Sequence, residues 1–363
     1  MQLNHCMITK FHSLKIKDVK KETNDTVSIS FAIPEELQKK FKFESGQYLT
    51  LETNIDNEKV RRSYSLCSSP FENEWRVAIK KVDNGKFSTY ANTVLKKDMV
   101  LDVMEPAGNF KLSTQPNSEN SYVFFAAGSG ITPIISIIKS VLNEEQKSNV
   151  TLFYGNKGFN SIIFNDEINA LKNNFLDRFR IIHLFSRESI GNEIQNGRID
   201  KQKTKLLFDV FLKNTMIDKT FICGPESMIL DVKEALTEEG LNKEQILFEL
   251  FTSPSKEKKK IDSSKEDIKL KSNIGVIIDD EKIDFNLNSD GEFILDAALR
   301  EGADLPYACK GGVCCTCKAK VIKGSAKMDI NYALTDNEVN EGYILTCTSR
   351  PLTDELIISF DDV

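Results

Sequence analysis

Four cysteines near the end of the chain constrain its fold more than any other feature. Three of them, Cys309, Cys314 and Cys317, follow the spacing C-x4-C-x2-C, and Cys347 follows on a segment with a strand pattern. An iron–sulfur cluster is held by four thiolates, and this spacing is that of plant-type [2Fe–2S] proteins. The alternative, a structural zinc site, usually takes its thiolates as two separated short pairs. We therefore predict that these four cysteines bind a [2Fe–2S] cluster.

The loop that joins these cysteines contains two glycines and one further thiol. Gly311 and Gly312 allow the backbone to turn tightly around sulfide and to direct N–H groups towards it. Cys315 does not fit the ligand spacing and is predicted to be a spare buried thiol. Thiolates that must stay free for iron imply a reducing compartment, so we expect a cytoplasmic protein.

The length and the hydropathy pattern predict a multidomain protein that is not embedded in a membrane. The 363 residues are enough for two or three domains. The first residues lack a charged segment followed by an apolar run, so we expect no secretory signal. The most apolar stretch, residues 122–142, is interrupted by Gly128, Gly130 and Pro133. This interruption favours a strand, a turn and a helix over a membrane span.

The net charge of −6 is unevenly distributed. Residues 273–363 contain 17 acidic and 8 basic residues, whereas residues 251–272 carry a charge of +3. The acidic end argues against nucleic-acid binding and favours a partner with a basic docking face. The alternative is that the acidity only keeps a small domain soluble. Residues 251–272 are rich in lysine and serine with little apolar periodicity, which predicts a flexible linker.

Residues 1–117 show short alternating segments, such as Thr26–Phe31, Tyr48–Leu51 and Arg76–Lys80. Segments of this length, separated by glycine-containing turns, predict an antiparallel β-barrel domain. Alternation would place Arg62, Tyr64 and Leu66 on one face of a strand. A flat ring could stack on Tyr64 while Arg62 binds a phosphate, although an ordinary strand explains these residues equally well.

A second candidate site in this domain is the run Gly85-Lys86-Phe87-Ser88, before a predicted helix at Thr89–Leu95. A glycine, a hydroxyl group and a helix N-terminus together form a phosphate-binding arrangement. The alternative is a plain turn followed by a capped helix.

Residues 118–250 alternate between strand and helix patterns, which predicts a doubly wound α/β nucleotide-binding domain. The predicted strands are Tyr122–Ala126, Val150–Tyr154, Arg180–Phe185 and Lys219–Cys223, and the predicted helices are Pro133–Leu142, Asn165–Asn173 and Glu226–Glu239.

The turn after the first of these strands, Gly128–Pro133, predicts a pyrophosphate site. Its glycines allow close approach to the backbone, and a helix N-terminus favours negative charge. Thr132 is the expected N-cap and Pro133 the first helical residue. The turn lacks the third glycine of G-x-G-x-x-G, a departure from the usual dinucleotide fingerprint.

Two further motifs follow strands of the same domain. Cys223-Gly224-Pro225 ends a strand where ligands of such sheets bind, although a cysteine there is more often a small buried residue. Arg187, after Ser186, suits a 2′-phosphate because guanidinium groups bind phosphate oxygens well. A solvated surface arginine is the alternative.

The C-terminal residues 273–363 predict a hairpin, a helix at Phe293–Arg300, the cluster loop and three further strands. They resemble plant-type ferredoxins of the β-grasp (α+β) fold, from Asp296–Leu299 through Leu305–Cys309 to Cys347. The first 250 residues resemble the ferredoxin–NADP reductase superfamily, in which the four motifs described above occur in the same order.

The resemblance to the reductase superfamily assigns roles to individual residues. It implies catalytic positions for Tyr64, Ser65 and Cys223, with Ser65 near flavin N5. It implies that FAD is bound by Arg62, Tyr64, Ser65, Leu66, Lys80, Gly85, Lys86, Phe87 and Ser88, and that Glu249 and Phe251 approach the flavin. It implies that NADPH, with NADH possible, is bound by Gly128, Gly130, Thr132, Pro133, Ser186, Arg187, Cys223, Gly224 and Pro225.

A reductase followed by a linker and a ferredoxin resembles the reductase components of phenylacetyl-CoA epoxidase systems, as do Phe251–Pro254, Lys310–Cys317 and Met328–Leu334. The resemblance implies electron transfer from NADPH through FAD and the [2Fe–2S] cluster to an oxygenase, of a di-iron type, that docks at the acidic ferredoxin domain. Reductases of ketosteroid hydroxylases and acyl desaturases share this layout. Two alternatives are an iron–sulfur carrier with a vestigial front half and a self-sufficient reductase of a small molecule.

Overall fold

The computed structural model describes residues 11–251 and 270–363. The described residues divide into two compact units, one from His12 to Phe251 and one that contains residues 270–363. Most of the predicted linker lies outside the described residues, but Lys271 and Ser272 already belong to a strand. The strand therefore begins two residues before the predicted boundary. The boundary at residue 117 stays a prediction.

The first part of the N-terminal unit is an antiparallel six-stranded sheet with the order β4-β3-β6-β1-β2-β5. Its strands and its helix are β1 (Phe11–Thr23), β2 (Thr26–Ala32), β3 (Tyr48–Ile55), β4 (Glu58–Ser65), β5 (Trp75–Lys80), β6 (Val100–Met104) and α1 (Lys86–Thr93). Apolar residues of all six strands meet in one core. The predicted barrel class is confirmed.

The second part of this unit is a parallel five-stranded sheet with the order β11-β10-β7-β8-β9. Its elements are β7 (Ser121–Ala127), α2 (Ile131–Glu144), β8 (Asn149–Asn156), α3 (Asn165–Asn174), β9 (Phe179–Phe185), α4 (Lys201–Phe211), β10 (Lys219–Cys223), α5 (Glu226–Glu238) and β11 (Ile246–Glu249). All four predicted strands and all three predicted helices are present. Helix α4 and strand β11 were not predicted.

Residues 122–142 form a strand, a turn and a helix, as their interruption by glycine and proline predicted. In the parts of the chain that the structure describes, no helix combines the length and the apolar character needed to cross a membrane.

Aromatic packing joins the barrel to the parallel sheet. Phe124 and Phe221 stack with ring centroids 5.3 Å apart, and Phe110, from the segment after β6, meets Phe221 edge-on at 5.5 Å. Residues from both sheets therefore share one hydrophobic core. This shared core explains why residues 12–251 form one unit.

The C-terminal unit contains a mixed five-stranded sheet with the order β13-β12-β18-β14-β16 and a two-stranded sheet of β15 and β17. Its elements are β12 (Lys271–Ile278), β13 (Glu281–Asn288), α6 (Ile294–Arg300), β14 (Lys318–Lys323), β15 (Ala326–Met328), α7 (Asp336–Asn340), β16 (Tyr343–Leu345), β17 (Ser349–Pro351) and β18 (Glu355–Ser359). The predicted hairpin is β12–β13, and its turn holds Asp279 and Asp280 at positive φ. The β-grasp prediction is confirmed.

We predict that Phe110→Ala destabilises the N-terminal unit by about 3–5 kcal/mol, because it leaves a cavity beside Phe221. Urea unfolding of the full chain measures the change. Phe71→Ala is the control, since Phe71 is 46% exposed and such surface changes stay within about 0.5 kcal/mol. Equal losses for the two variants would contradict the shared core.

Candidate functional site

The turn after β7 runs directly into helix α2. Gly130 is the N-cap and the helix begins at Ile131, so the prediction that Thr132 is the N-cap and Pro133 the first helical residue is wrong. The reason is that Gly128–Gly130 already form a 3₁₀ turn that continues into the helix. Thr132 is buried, and its hydroxyl donates back to the Ser129 carbonyl at 3.0 Å. Pro133 still lies in the first turn, where its missing N–H costs nothing.

The glycine turn touches the end of β10. A Cβ atom on Gly130 would lie 2.1 Å from the Cys223 carbonyl oxygen and 2.8 Å from the Gly224 nitrogen. A Cβ on Gly224 would in turn lie 2.6 Å from the terminal methyl group of Met228. Only glycine fits at position 130, where the neighbouring atoms belong to the backbone, so the two loops form one continuous surface at the carboxyl edge of the sheet. Pro225 follows as the N-cap of α5.

A hydrogen bond joins the barrel to the same edge of the parallel sheet. Ser65, the last residue of β4, donates its hydroxyl to the Glu249 carboxylate at 3.1 Å. Glu249 ends β11 and pairs with Cys223 in the strand register. The predicted site residues Ser65, Cys223 and Glu249 therefore lie together, although they are far apart in the sequence.

Burial determines the protonation states of Glu249 and Cys223. Burial raises the pKa of Glu249 to about 8, although the hydrogen bond from Ser65 opposes the shift. Burial, and then the charge of Glu249, raise the pKa of Cys223 well above the usual value. Cys223 is thus a neutral thiol rather than a thiolate nucleophile.

The strand that carries Ser65 ends at that residue, so Leu66 lies one residue beyond it. Arg62 is exposed, Tyr64 is half-buried and Leu66 is fully buried. The Leu66 side chain belongs to the barrel core, as does that of Phe87, and its contact with the flavin stays a prediction. The Tyr64 ring lies 5.5 Å from the ring of Phe87, and burial raises its pKa. The structure therefore brings two of the predicted flavin-site aromatic residues together.

The helix after Gly85 was predicted to begin at Thr89, but α1 begins at Lys86, so only Gly85 of the segment Gly85–Ser88 precedes it. The Ser88 hydroxyl accepts from the Val82 N–H and donates to the Gly85 carbonyl, both at 3.2 Å. Lys86 forms an ion pair with Glu58. A phosphate at this site would therefore be bound by the first-turn N–H groups of α1, which have no partner within the helix.

Lys80 extends from the end of β5 towards the glycine turn. A Cβ on Gly128 would lie 3.9 Å from its ammonium nitrogen, which also stands 3.7 Å from the Asp25 carboxylate. Tyr154, which the sequence analysis did not identify as a site residue, also stabilises the turn. Its buried hydroxyl donates to the Gly128 carbonyl at 3.1 Å. An aromatic residue near the end of β8 was its only signal.

Ser186 and Arg187 follow β9, at the far edge of the sheet. The backbone N–H of Ser186 donates to the Asn156 carbonyl and that of Arg187 to the Lys157 carbonyl, both at 2.9 Å. The Arg187 side chain is exposed. Strand β9 is three places from β10, a span of about 14 Å at the usual strand spacing. These residues are therefore separate from the group around Ser65. Phe251, at the end of the unit, is 41% exposed.

The four predicted cluster ligands lie together in the C-terminal unit. Hydrogen bonds join Cys309 to Cys314 and to Cys347, and Cys347 to Cys317. These bonds lower the pKa of Cys309 and raise the pKa of Cys314 and Cys347. Among residues 11–251 and 270–363, no group of three or more potential ligands is arranged to hold a metal ion. Four convergent thiols are nevertheless the donor set, in type and number, of a two-iron cluster.

The cluster loop is shaped by its glycines, as predicted. The Gly311 N–H donates to the Cys309 sulfur at 3.4 Å. Gly312 has a φ of +74°, and a Cβ there would lie 2.8 Å from the Ile330 carbonyl oxygen. The Tyr332 N–H donates to the Gly312 carbonyl at 2.9 Å, which anchors residues 329–334 over the loop. Cys315 is half-buried rather than buried.

Family models match three parts of the chain. An oxidoreductase FAD-binding domain matches residues 13–112, an oxidoreductase NAD-binding domain residues 124–234, and a 2Fe-2S iron-sulfur cluster binding domain residues 276–352.

Two relatives match over almost their whole length. One subunit of the 1,2-phenylacetyl-CoA epoxidase from Escherichia coli is 40% identical, over 98% of this chain and 99% of its own. The ferredoxin reductase component of 3-ketosteroid-9-alpha-monooxygenase from Rhodococcus rhodochrous is 33% identical, over 96% of each chain. The chain belongs to this family of flavin and iron–sulfur reductases. It is an electron-transfer oxidoreductase with FAD, NAD and [2Fe–2S] domains.

Solved structures share the fold of this reductase. Phthalate dioxygenase reductase is 22% identical, with a TM-score of 0.59, over 96% of this chain and 98% of that one. An intact type IV self-sufficient cytochrome P450 monooxygenase gives a TM-score of 0.70 at 22% identity. The reductase spans only 41% of that longer chain.

We predict that Glu249→Gln makes the reductase more stable than the parent, by a margin that grows with pH. Below about pH 4.5 the parent carboxyl is neutral in both the folded and the unfolded chain. As pH rises towards 8 only the unfolded chain ionises it, which costs the parent stability; above pH 8 the margin levels off.

Thermal unfolding between pH 5 and 9 measures this margin. Glu244→Gln, which changes an exposed carboxylate just before β11, is the matched control. A margin independent of pH would mean that Glu249 is ionised in the folded protein across this range.

Proposed function

We propose that this reductase takes a hydride from NADPH and passes single electrons to the oxygenase component of a phenylacetyl-CoA epoxidase. The proposal of a hydride-transfer site is carried by one observation, the hydrogen bond from Ser65 to Glu249 beside Cys223. The partner is proposed from the 40% identity to the protein of the Escherichia coli epoxidase, which extends over nearly the whole of both chains.

The residues around Ser65 fit a flavin ring that faces a nicotinamide. Bound FAD would supply the exchange of one hydride for two single electrons. Tyr64 would cover one side of the ring, and the Ser65 hydroxyl, held by Glu249, would lie near its reactive nitrogen. Because burial keeps Glu249 protonated near neutral pH, the Ser65–Glu249 pair can hold a proton at the carboxyl oxygen. The neutral thiol of Cys223 would offer the nicotinamide an uncharged surface.

Phosphate groups would be held mainly by backbone N–H groups and helix N-termini. The first turn of α1, which contains Lys86, suits the FAD pyrophosphate, and Arg62 of β4 would be a second phosphate ligand. The first turn of α2 suits the pyrophosphate of the nicotinamide nucleotide, and Lys80 adds a positive charge beside Gly128. Arg187, at the far edge of the sheet, suits the 2′-phosphate that distinguishes NADPH.

The C-terminal unit would hold the cluster and meet the partner. Residues 273–363 carry 17 acidic against 8 basic residues, so we propose that the oxygenase, of a di-iron type, docks through a basic surface. Relatives are named as reductase components of ketosteroid and glycine betaine monooxygenases as well. A different oxygenase is therefore the alternative partner.

We predict that Cys314→Ser abolishes electron transfer to a protein acceptor, while NADPH still reduces the flavin. The variant removes one of four cluster ligands but leaves residues 12–251 unchanged. Iron content, the low-temperature electron paramagnetic resonance signal and stopped-flow flavin reduction give the three measurements. Cys315→Ser, in the same loop but outside the ligand spacing, is the matched control and should retain the cluster. Loss of flavin reduction in Cys314→Ser would contradict the division of roles.

We predict that NADPH bleaches both the flavin and the cluster bands at lower concentration than NADH in an anaerobic titration. Arg187→Ala should weaken NADPH binding by roughly 10- to 100-fold, the range for a lost hydrogen bond to a charged group, and leave NADH binding unchanged. Arg198→Ala, another exposed arginine of the same domain, is the control. An equal response of the parent to NADH would remove the cofactor preference, and absence of a flavin band would remove the proposed electron path.

A further inference from the structure

A buried lysine connects helix α2 to the barrel. Lys139 is 7% exposed, and its ammonium group donates to the Cys67 carbonyl at 3.1 Å and to the Glu72 carboxylate at 3.2 Å. It also forms an ion pair with Glu167 of α3. One turn earlier on the same helix face, the Ser136 hydroxyl donates to the Ser68 carbonyl at 2.6 Å.

The packing of helix α2 on the barrel does not by itself require a charged side chain at position 139. Most of the other buried side chains of helix α2 are isoleucine, valine or leucine, and such packing holds two surfaces together without desolvating an ion. Burial acts to lower the pKa of Lys139, but the carboxylates of Glu167 and Glu72 outweigh it and raise the pKa. A buried ammonium group with three acceptors from two segments, the β4–β5 connection and α3, is costly to misplace, because any shift leaves charge unpaired. The cluster therefore defines one orientation of α2 on the barrel.

Both ends of this connection lead to the proposed hydride-transfer site. On the barrel side, the residues that bind α2, Cys67 to Glu72, directly follow Ser65 and Leu66. On the helix side, Lys139 lies two turns, about 10 Å, from Thr132 and the glycine turn. The polar contacts thus join the strand that presents Ser65 to the helix that begins at the nucleotide turn.

We propose that Lys139 is a positioning residue that, through Glu72 and Cys67, sets the distance between nicotinamide and flavin for hydride transfer. The inference rests on the proposed function. In that step a carbon–hydrogen bond of the reduced nicotinamide breaks and its electron pair leaves with the hydrogen, while a nitrogen–hydrogen bond forms on the flavin. The nicotinamide loses two electrons and the flavin gains two. A misplacement of about 1 Å in such a step costs on the order of 100-fold in rate.

The two carboxylates around Lys139 provide a matched pair of variants. Glu72 belongs to the barrel, so Glu72→Gln removes an ion pair between the two parts of the unit. Glu167 belongs to α3, so Glu167→Gln removes an ion pair within the nucleotide-binding part. Glu72 also accepts from the Ser69 N–H at 2.6 Å in a capping box, which glutamine can preserve. Each change removes one carboxylate charge beside the same ammonium group, that of Lys139.

The test is stopped-flow reduction of the flavin by NADPH in the full-length holoprotein. Glu72→Gln should slow the limiting rate at saturating NADPH by at least about tenfold, with less than about a twofold change in the dissociation constant of NADPH. Glu167→Gln should keep the parent rate. Thermal unfolding and flavin content, recorded for both variants, show whether each protein is folded and loaded.

A double-mutant cycle with Lys139→Met separates positioning from general stability. If Glu72 acts through Lys139, adding Glu72→Gln to Lys139→Met should slow the reaction no further. Parent-like rates in Glu72→Gln, equal slowing in Glu72→Gln and Glu167→Gln, or additive effects in the double variant would each overturn the inference. Failure of both NADPH and NADH to reduce the parent flavin would instead reject the proposed function.

Discussion

The contact between the carboxyl edge of the parallel sheet and the barrel is the constraint on which the reductase unit depends. Gly130 lies so close to the Cys223 carbonyl that no side chain fits between them, and Ser65 crosses from the barrel to Glu249. Parallel strands end at one edge, where their loops and helix N-termini collect. The barrel contacts this edge, so one surface holds backbone N–H groups for phosphate and a half-buried acid near the proposed flavin position.

The two units solve different electrostatic problems. In the reductase unit, burial raises the pKa of both Cys223 and Glu249, so that both side chains are neutral near pH 7. In the C-terminal unit, hydrogen bonds with Cys309 raise the pKa of the Cys314 and Cys347 thiols, which opposes the loss of protons that metal binding requires. A cationic metal centre removes that conflict because it pairs with every thiolate.

The local part of the site could be predicted from the sequence, because its signals lie within a few residues. The cluster loop is defined by spacing and by glycines at 311 and 312, and the nucleotide turn by its position between a strand and a helix. Strand β1 was not among the segments named from the sequence, because Leu14 and Ile16 are its only fully buried apolar residues. Helix α4 buries only Thr204 and Leu207, so its apolar pattern was too weak. The start of α2 was misplaced because a 3₁₀ turn that continues into a helix has no distinct sequence signal.

The long-range part could not be predicted, for a physical reason. Ser65 and Glu249 are separated by 184 residues, and their contact depends on how the barrel packs on the sheet. That packing is fixed by non-local contacts such as Phe110 against Phe221. Lys139 illustrates the same limit: in the sequence it is one polar residue in an apolar helix, which would normally face solvent. Only the fold shows that the helix is covered on that face, so that the lysine must find its partners inside the protein.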